Sequence, residues 1–456
     1  MAPQDWQPWQ TAAFLDAQRR RRPVLLLLDA EWAPAAAEAH ARVFARPDVA
    51  AVIGDRTVPV RVDVDRRPDI ADRYGLGQWP SLLLLTPEGH VLTGGTALDD
   101  TLAERLRAAA DAYAAQGRPD ASWPAAATTA VPGDADAAGA DDLLQEVRQA
   151  VEAPETLGLA APVAVAALCA FAQAAVARDP EWASLAASLL DAADEPSLDP
   201  DAVADDAPAP ARLDDQAEWV RVLSRAVRLE PLPSWQAHLH RRLAALRALR
   251  RPDGHWRPWA GAGRVVLVDA SARACRALLA AAEALQDDDL AAEAIEALEV
   301  LAPLAYARGA GVSHVIDNGQ AHGPVLLDDA MALAQAVLDA DQWRDESVYR
   351  DLADEVLQTA LGRLAHPSGA LVDRVATMAG AGQVGRLSAP HVPIVGNAEA
   401  ARVLVRLHGH DAAARERARR IVVAAAAEAG GAGVFAAPLG LAWIGLDPAG
   451  TATAAW

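Results

Sequence analysis

The chain has 456 residues, enough for two or three well-buried domains, and 41 basic against 62 acidic residues leave a formal charge of −21. Every one of those cations is an arginine, because no lysine occurs. The balance argues against nucleic acid, whose affinity comes from neutralised phosphates, and against anionic membrane surfaces.

Trp9 to Arg21 has helical spacing, with Trp9, Ala13, Ala17 and Arg20 in register, and Arg19 to Arg22 read as cations at a helix C-terminus. Pro23 to Asp29 is a short apolar run that reads as a buried strand, and Ala35 to Ala45 is an alanine-rich helix. Thr57 to Asp63 alternates Val58, Val60 and Val62 and reads as a second strand. Trp79-Pro80 precedes a third strand, Ser81 to Leu85, and Thr86-Pro87-Glu88-Gly89 is a turn that lets His90 to Leu92 pair back. Leu98 to Tyr113 closes this unit as an amphipathic helix. Residues 1–116 thus form one domain, and 117–140, rich in Pro, Gly, Ala, Asp and Thr, reads as a linker.

Residues 141–456 are nearly all helical, with about twelve segments that make six hairpins. Leu213-Asp214-Asp215, Val268-Asp269, Leu327-Asp328-Asp329 and Gly396-Asn397 each open an apolar helix that is followed by a more charged one. Helices apolar nearly all round are buried on both sides. Alternation of the two kinds describes two concentric rings, an α/α toroid. Glu195 to Pro210, with many Asp and Pro, reads as a long loop. Ala160 to Ala177 contains Gln173 and runs into Arg178-Asp179, so it reads as a buried helix rather than a membrane span. Met1 to Trp6 lacks the features of a signal peptide, and a cytoplasmic protein is the default expectation. The two cysteines, Cys169 and Cys275, lie in apolar alanine-rich stretches and read as small buried hydrophobes.

The first domain resembles the thioredoxin-like domain of the spermatogenesis-associated protein 20 family. The resemblance rests on Arg22-Pro23, Phe44, Val49-Ala50, Val62-Asp63-Val64-Asp65-Arg66-Arg67-Pro68-Asp69, Tyr74, Gly77-Gln78-Trp79-Pro80 and Leu85-Thr86-Pro87-Glu88-Gly89. It implies a thioredoxin-like fold followed by a six-hairpin toroid that resembles glycosidases and sugar epimerases, and Leu327-Asp328-Asp329-Ala330 resembles an inner-helix start of that toroid. It also implies a cis peptide before Pro80. The family's Cys-His-Trp-Cys motif falls on Ala33-Pro34-Ala35-Ala36, so the site is degenerate and thiol exchange, which needs a thiolate there, is not expected. The toroid reads as shortened around Glu155 to Pro162.

Each candidate for chemistry has a plainer alternative. Asp63, Asp65 and Asp69 lack the glycine and terminal glutamate of a calcium loop, and read as solvated charge or helix capping. Asp214, Asp215, Asp269, Asp328, Asp329 and Asn397 suit helix N-caps. Alternatively they converge as carboxylates at the toroid mouth, with Asp269, Asp328, Asp329 and His255 as catalytic candidates. Trp256, Trp259, His322, Asp373, His391 and Asn397 are candidate ligand contacts, although packing under a loop is the plainer account of each Trp. A metal reading of His314 and His322 fails for want of ligand spacing, so no metal and no cofactor is expected. The leading expectation is a toroid that binds a small polar ligand of the carbohydrate kind. The alternatives are a glycosidase or epimerase using Asp or His, and an interaction scaffold with a groove near Trp32 and Pro80.

Overall fold

A computed structural model describes residues 5–116, 140–152, 160–192, 211–344, 346–375, 383–429 and 431–446. The expected linker at 117–140 (but for its last residue), the loop at 195–210 and most of the shortened stretch at 155–162 lie outside the described residues. The described chain falls into two compact units. One holds residues 5–116 and 383–390, and the other holds the remainder.

In the first unit β1 (Val24–Asp29) lies at the centre of a four-stranded sheet, parallel to β2 (Val58–Asp63) and antiparallel to β3 (Ser81–Leu85), which pairs with β4 (Val91–Gly95). The run Val24–Leu28 is continuously apolar because both sheet faces are covered. Leu25, Leu27, Leu82 and Leu84 meet Phe44, Ile53 and Leu106 on one side, while Leu26, Leu28, Val60 and Leu83 meet Trp9, Phe14, Ile70 and Tyr74 on the other. Five helices flank the sheet: α1 (Thr11–Arg20), α2 (Pro34–Glu38), α3 (Pro47–Arg56), α4 (Pro68–Tyr74) and α5 (Leu102–Gln116). The helix expected over Ala35–Ala45 is α2 continued by a π-helical turn, Ala39–Phe44, and α3 is a further helix that the sequence reading did not separate. The Trp79-Pro80 peptide is cis.

This unit also takes in Gln383–Pro390. Leu387 is buried in the Trp9–Tyr74 cluster, and the Arg386 N–H donates to Tyr74 Oη at 2.8 Å. Gly385 has φ +56°, and a Cβ there would run into Gly89 O and Tyr74 Oη, so only glycine fits that approach.

The second unit is a closed ring of helices. Its hairpins are α7 (Ala160–Ala177) with α8 (Pro180–Ala192), α9 (Leu213–Leu229) with α10 (Pro233–Ala248), α11 (Val268–Leu285) with α12 (Asp288–Ala305), α13 (Leu327–Arg344) with α14 (Ser347–Arg363), and α15 (Ile394–His408) with α16 (Ala412–Glu428). The sixth pair joins α17 (Ala437–Leu446) to α6 (Ala140–Val151). The inner helices α7, α9, α11, α13, α15 and α17 touch in that order, and α17 touches α7, which completes the toroid. Small residues let these helices approach closely: Gly440 of α17 sits against Cys169 Sγ of α7.

This half also carries a small sheet. β7 (Gly311–Asp317) and β8 (Gln320–Val325) form a hairpin, supported by two-residue strands β5 (Val266–Leu267) and β6 (Tyr306–Ala307). Its turn is Asn318-Gly319, both with positive φ (51° and 75°), the geometry a two-residue hairpin needs.

Candidate functional site: a carboxylate mouth in the toroid

The N-terminal ends of α9, α11 and α13 bring acidic side chains around one guanidinium. Arg273 lies 3.8 Å from Asp269, one turn before it on α11. Burial alone would lower the Arg273 pKa, but Asp269, Glu218, Asp328 and Asp214 together outweigh it and raise it. These groups come from three consecutive inner helices, so the closed ring is what gathers them.

The carboxyls of this mouth are pushed apart in acidity. Burial drives Asp328 up to about 7 against the pull of Arg273, and Asp269, Asp329 and Asp373 add to the rise. Its Oδ1 is shielded from solvent, has no hydrogen-bond partner, and lies where a Cβ on Gly396 of α15 would collide with it. Asp214 goes the other way. Burial would raise it, but Arg212, which grips it at 3.1 and 2.9 Å, and Arg273 hold it below the usual carboxylate range. A carboxyl that keeps its proton up to about pH 7 and a carboxylate held ionised beside the same cation are the components of proton transfer.

The N-cap expectation needs correction. Arg212 and Leu267 precede α9 and α11 without side-chain caps, and the aspartates occupy the second and third helical positions. The second aspartate of each pair caps the neighbouring inner helix instead. Asp215 accepts from Ala161 N of α7 at 3.2 Å, and Asp329 accepts from Asp269 N of α11 at 2.9 Å. Burial with Asp214 beside it raises Asp215 to about 6. Asn397 clamps a loop: its amide accepts from Leu371 N and donates to Leu371 O and Pro393 O.

The other sequence candidates are distributed as follows. Asp373 is buried, contributes to the field on Asp328, and holds the start of α13 through its carbonyl, which accepts from Leu327 N. His391 meets Asp373 through its own carbonyl. His255 sits in the Arg251–His255 turn, where burial lowers its pKa and its charged neighbours are Asp253 and Arg251. Trp256 and Trp259, the aromatic candidates for ligand contact, are 2% and 8% exposed, as packing requires. Trp256 packs on Cys275 and under Arg250, because a large apolar ring gains more from the core than from the mouth. His322 is exposed on β8, across from Val315.

His314 of β7 does join carboxylates. Its Nδ1 lies 3.0 and 2.9 Å from the two oxygens of Asp329 and 3.9 Å from Asp269, and the three residues could each offer one metal-ligand atom within 4.8 Å of the others. They come from three separate elements, so sequence spacing could not register the group. Asp329 is fully buried and already spends its oxygens on His314 and the Asp269 N–H, so the arrangement is first a histidine–carboxylate pair. In the first unit, Asp63 accepts from Asp65 N and Arg66 N as a turn, and Asp69 is held by Arg67 at 2.8 and 2.9 Å. These bonds account for the local roles of Asp63 and Asp69 without a metal.

Below the mouth the ring interior is lined with ion pairs that the sequence reading missed. Arg221 meets Glu218 at 2.6 Å, Arg276 meets Asp339 at 2.9 Å, Arg402 meets Glu399 at 2.7 Å and Arg406 meets Asp339 at 2.7 Å. The signal was present as charged residues three or four apart inside apolar helices: 214, 218, 221 and 225 on α9, 269, 273 and 276 on α11, and 399, 402 and 406 on α15.

At the degenerate redox position Ala33 and Ala36 are both buried, at the start of α2. Cys169 and Cys275 are free, fully buried in the toroid, and burial pushes both thiols up to about 12. Among the described residues no helix is long and apolar enough to cross a membrane.

Residues 1–111 match a family model described as Thioredox_DsbH, protein of unknown function, DUF255. Uncharacterized protein B0495.5 of Caenorhabditis elegans is 31% identical over 102 residues, and human spermatogenesis-associated protein 20 is 28% identical over 102 residues. Each match covers 21% of this chain, and only 14% and 13% of the respective relative. Among solved structures, an unsaturated glucuronyl hydrolase specific for heparin is similar at 13% identity and TM-score 0.47, over 62% of this chain and 84% of that one. Cellobiose 2-epimerase from Bacillus thermoamylovorans is similar at 9% identity and TM-score 0.49, over 58% and 74%.

Proposed function

We propose, for a chain that belongs through its first 111 residues to the spermatogenesis-associated protein 20-like family, that the toroid mouth binds a small neutral polyhydroxylated ligand, a carbohydrate. The observation that carries this reading is Asp328: a raised, partly exposed carboxyl with a partnerless, shielded oxygen, in a ring of acids around Arg273. Hydroxyl groups can donate to the ionised carboxylates and accept from Arg273 and from a protonated Asp328. Anionic ligands would meet repulsion from Asp214, Asp269 and Glu218. The chemistry of the thioredoxin-like unit is absent in this reading, because alanines replace its sulfurs and both remaining thiols are sealed in the other unit.

A second reading has a specific observation in its favour. Asp328 raised to about 7 and Asp214 held low make an acid and a base of the kind that glycoside hydrolysis or epimerisation uses. Calorimetric titration of the full chain with a panel of neutral mono- and disaccharides tests both. The expected result is saturable binding that Asp328→Ala weakens at least about tenfold, with wild-type turnover, if any, abolished by Asp328→Asn. Absence of binding across the panel refutes the first reading, and binding without turnover refutes the second.

A further inference from the structure

The far end of the toroid carries a pocket of opposite character. It opens to solvent among the C-terminal halves of α9, α11 and α13. Five arginines line it: Arg221, Arg225 and Arg228 from α9, Arg276 from α11 and Arg406 from α15. Among the described residues, two carboxylates, Glu283 and Asp339, share the lining. This is a concentrated positive patch in a chain of formal charge −21.

The pairing inside the pocket does not neutralise it. Asp339 is shared by Arg276 and Arg406, and Glu399, 3.6 Å from Arg276, is shared with Arg402, so each carboxylate serves two guanidiniums. Glu283 takes Arg228 at 2.6 Å, and Arg221 takes Glu218, which faces the mouth side. Including Glu218 and Glu399 among the acids, and Arg402, which shares Glu399, leaves six cations against four anions among the described residues. The cations also crowd one another: burial lowers the Arg221 and Arg225 pKa values, and Arg276 and Arg228 respectively push the same way. A cation at a helix C-terminus has an ordinary explanation in the helix dipole. That accounts for Arg228 in the last turn of α9 but not for Arg221, two turns earlier, or Arg276, mid-helix. Trp343 and Leu279 supply a flat apolar wall beside the guanidiniums.

We infer that this pocket is an anion site for a small phosphate ester, with the phosphate held by the arginines of α9 and α11 and the organic part laid on Trp343. Guanidinium forks match phosphate oxygens in pairs, which lysine cannot reproduce. The inference is independent of the carbohydrate reading, which concerns the opposite ends of the same helices and a neutral ligand.

The test is calorimetry on the full chain with phenyl phosphate and inorganic pyrophosphate as probes and benzyl alcohol as the uncharged control, at low and high salt. Phenyl phosphate and pyrophosphate should bind and weaken with salt, and benzyl alcohol should not bind. Arg225→Gln should weaken both phosphates at least about tenfold, and Trp343→Ala should weaken phenyl phosphate while sparing pyrophosphate. Arg228→Glu, at a side chain one-third exposed, is the variant least able to disturb folding and should have the same effect on both probes. Asp214→Asn, at the mouth, should leave phosphate binding unchanged. Absence of phosphate binding, or binding indifferent to both Arg225→Gln and Arg228→Glu, overturns the inference. Equal loss of both probes in a folded Trp343→Ala overturns the placement of the organic part.

Discussion

Asp328 concentrates the chemistry of the mouth in one carboxyl, and its environment has a thermodynamic signature. Its folded pKa is raised from 3.8 to about 7, so between those values the native state holds a proton that the unfolded state releases. This group therefore contributes a stability loss of up to about 1.4 kcal/mol for each unit of rising pH in that window, with no further change above it. Asp328→Asn keeps the shape and removes the titration. Urea unfolding of both proteins at pH 4 and pH 8 should show the variant gaining on the wild type at the higher pH. A difference that is the same at both pH values would remove Asp328 from this role. Single residues were also where the sequence was least legible. The repeated Asp at helix starts was visible, but whether a given Asp faces the mouth or caps a neighbour depends on its position within the first turn. Asp328 and Asp329 are adjacent in sequence, yet one faces the acids around Arg273 and the other is sealed against His314.

Helices and strands were better written in the sequence than their contacts. The strand Ser81–Leu85 and the parallel partner at Val58–Asp63 follow from apolar runs and alternation, and helix starts near Asp214, Asp269 and Asp328 follow from Asp before apolar stretches. The hairpin of β7 and β8 was missed inside an apparently helical half, although Asn318-Gly319 between alternating residues is a strong turn signal. That hairpin supplies His314, so missing the element hid the group. The crossing of α13 and α15 depends on Gly396, where a Cβ would strike Asp328 Oδ1 and Leu327. Gly396→Ala should cost about 1–3 kcal/mol by overpacking and displace the Asp328 carboxyl. Denaturant unfolding reads the first effect, and loss of the pH dependence described above reads the second. A neutral or stabilising result would mean the two helices are not in close contact there.

At the scale of the whole toroid, the inner helices enclose a charged interior rather than an oily one. Asp339 and Glu399 are each held at about 2, because burial, which would raise them, is outweighed by Arg406 and Arg276 for the first and by Arg402 and Arg276 for the second. Both contribute stability above the unfolded carboxylate range and lose it as pH falls toward 2. Glu399→Gln leaves Arg402 and Arg276 short of a buried counter-charge and should cost about 3–5 kcal/mol at pH 7, with a smaller difference at pH 3. A loss no larger than a surface substitution would show the interior to be wet. The sequence concealed this arrangement because charge at three- and four-residue spacing reads as a face turned to solvent, and a ring has an inner face as well as an outer one.

The two cysteines have a practical consequence. Each thiol is walled in on an inner helix, Cys169 on α7 beneath Gly440 and Cys275 on α11 beside Trp256, while none occurs in the thioredoxin-like unit. An alkylating reagent added to the native protein should therefore react only when the annulus opens, at a rate set by its breathing.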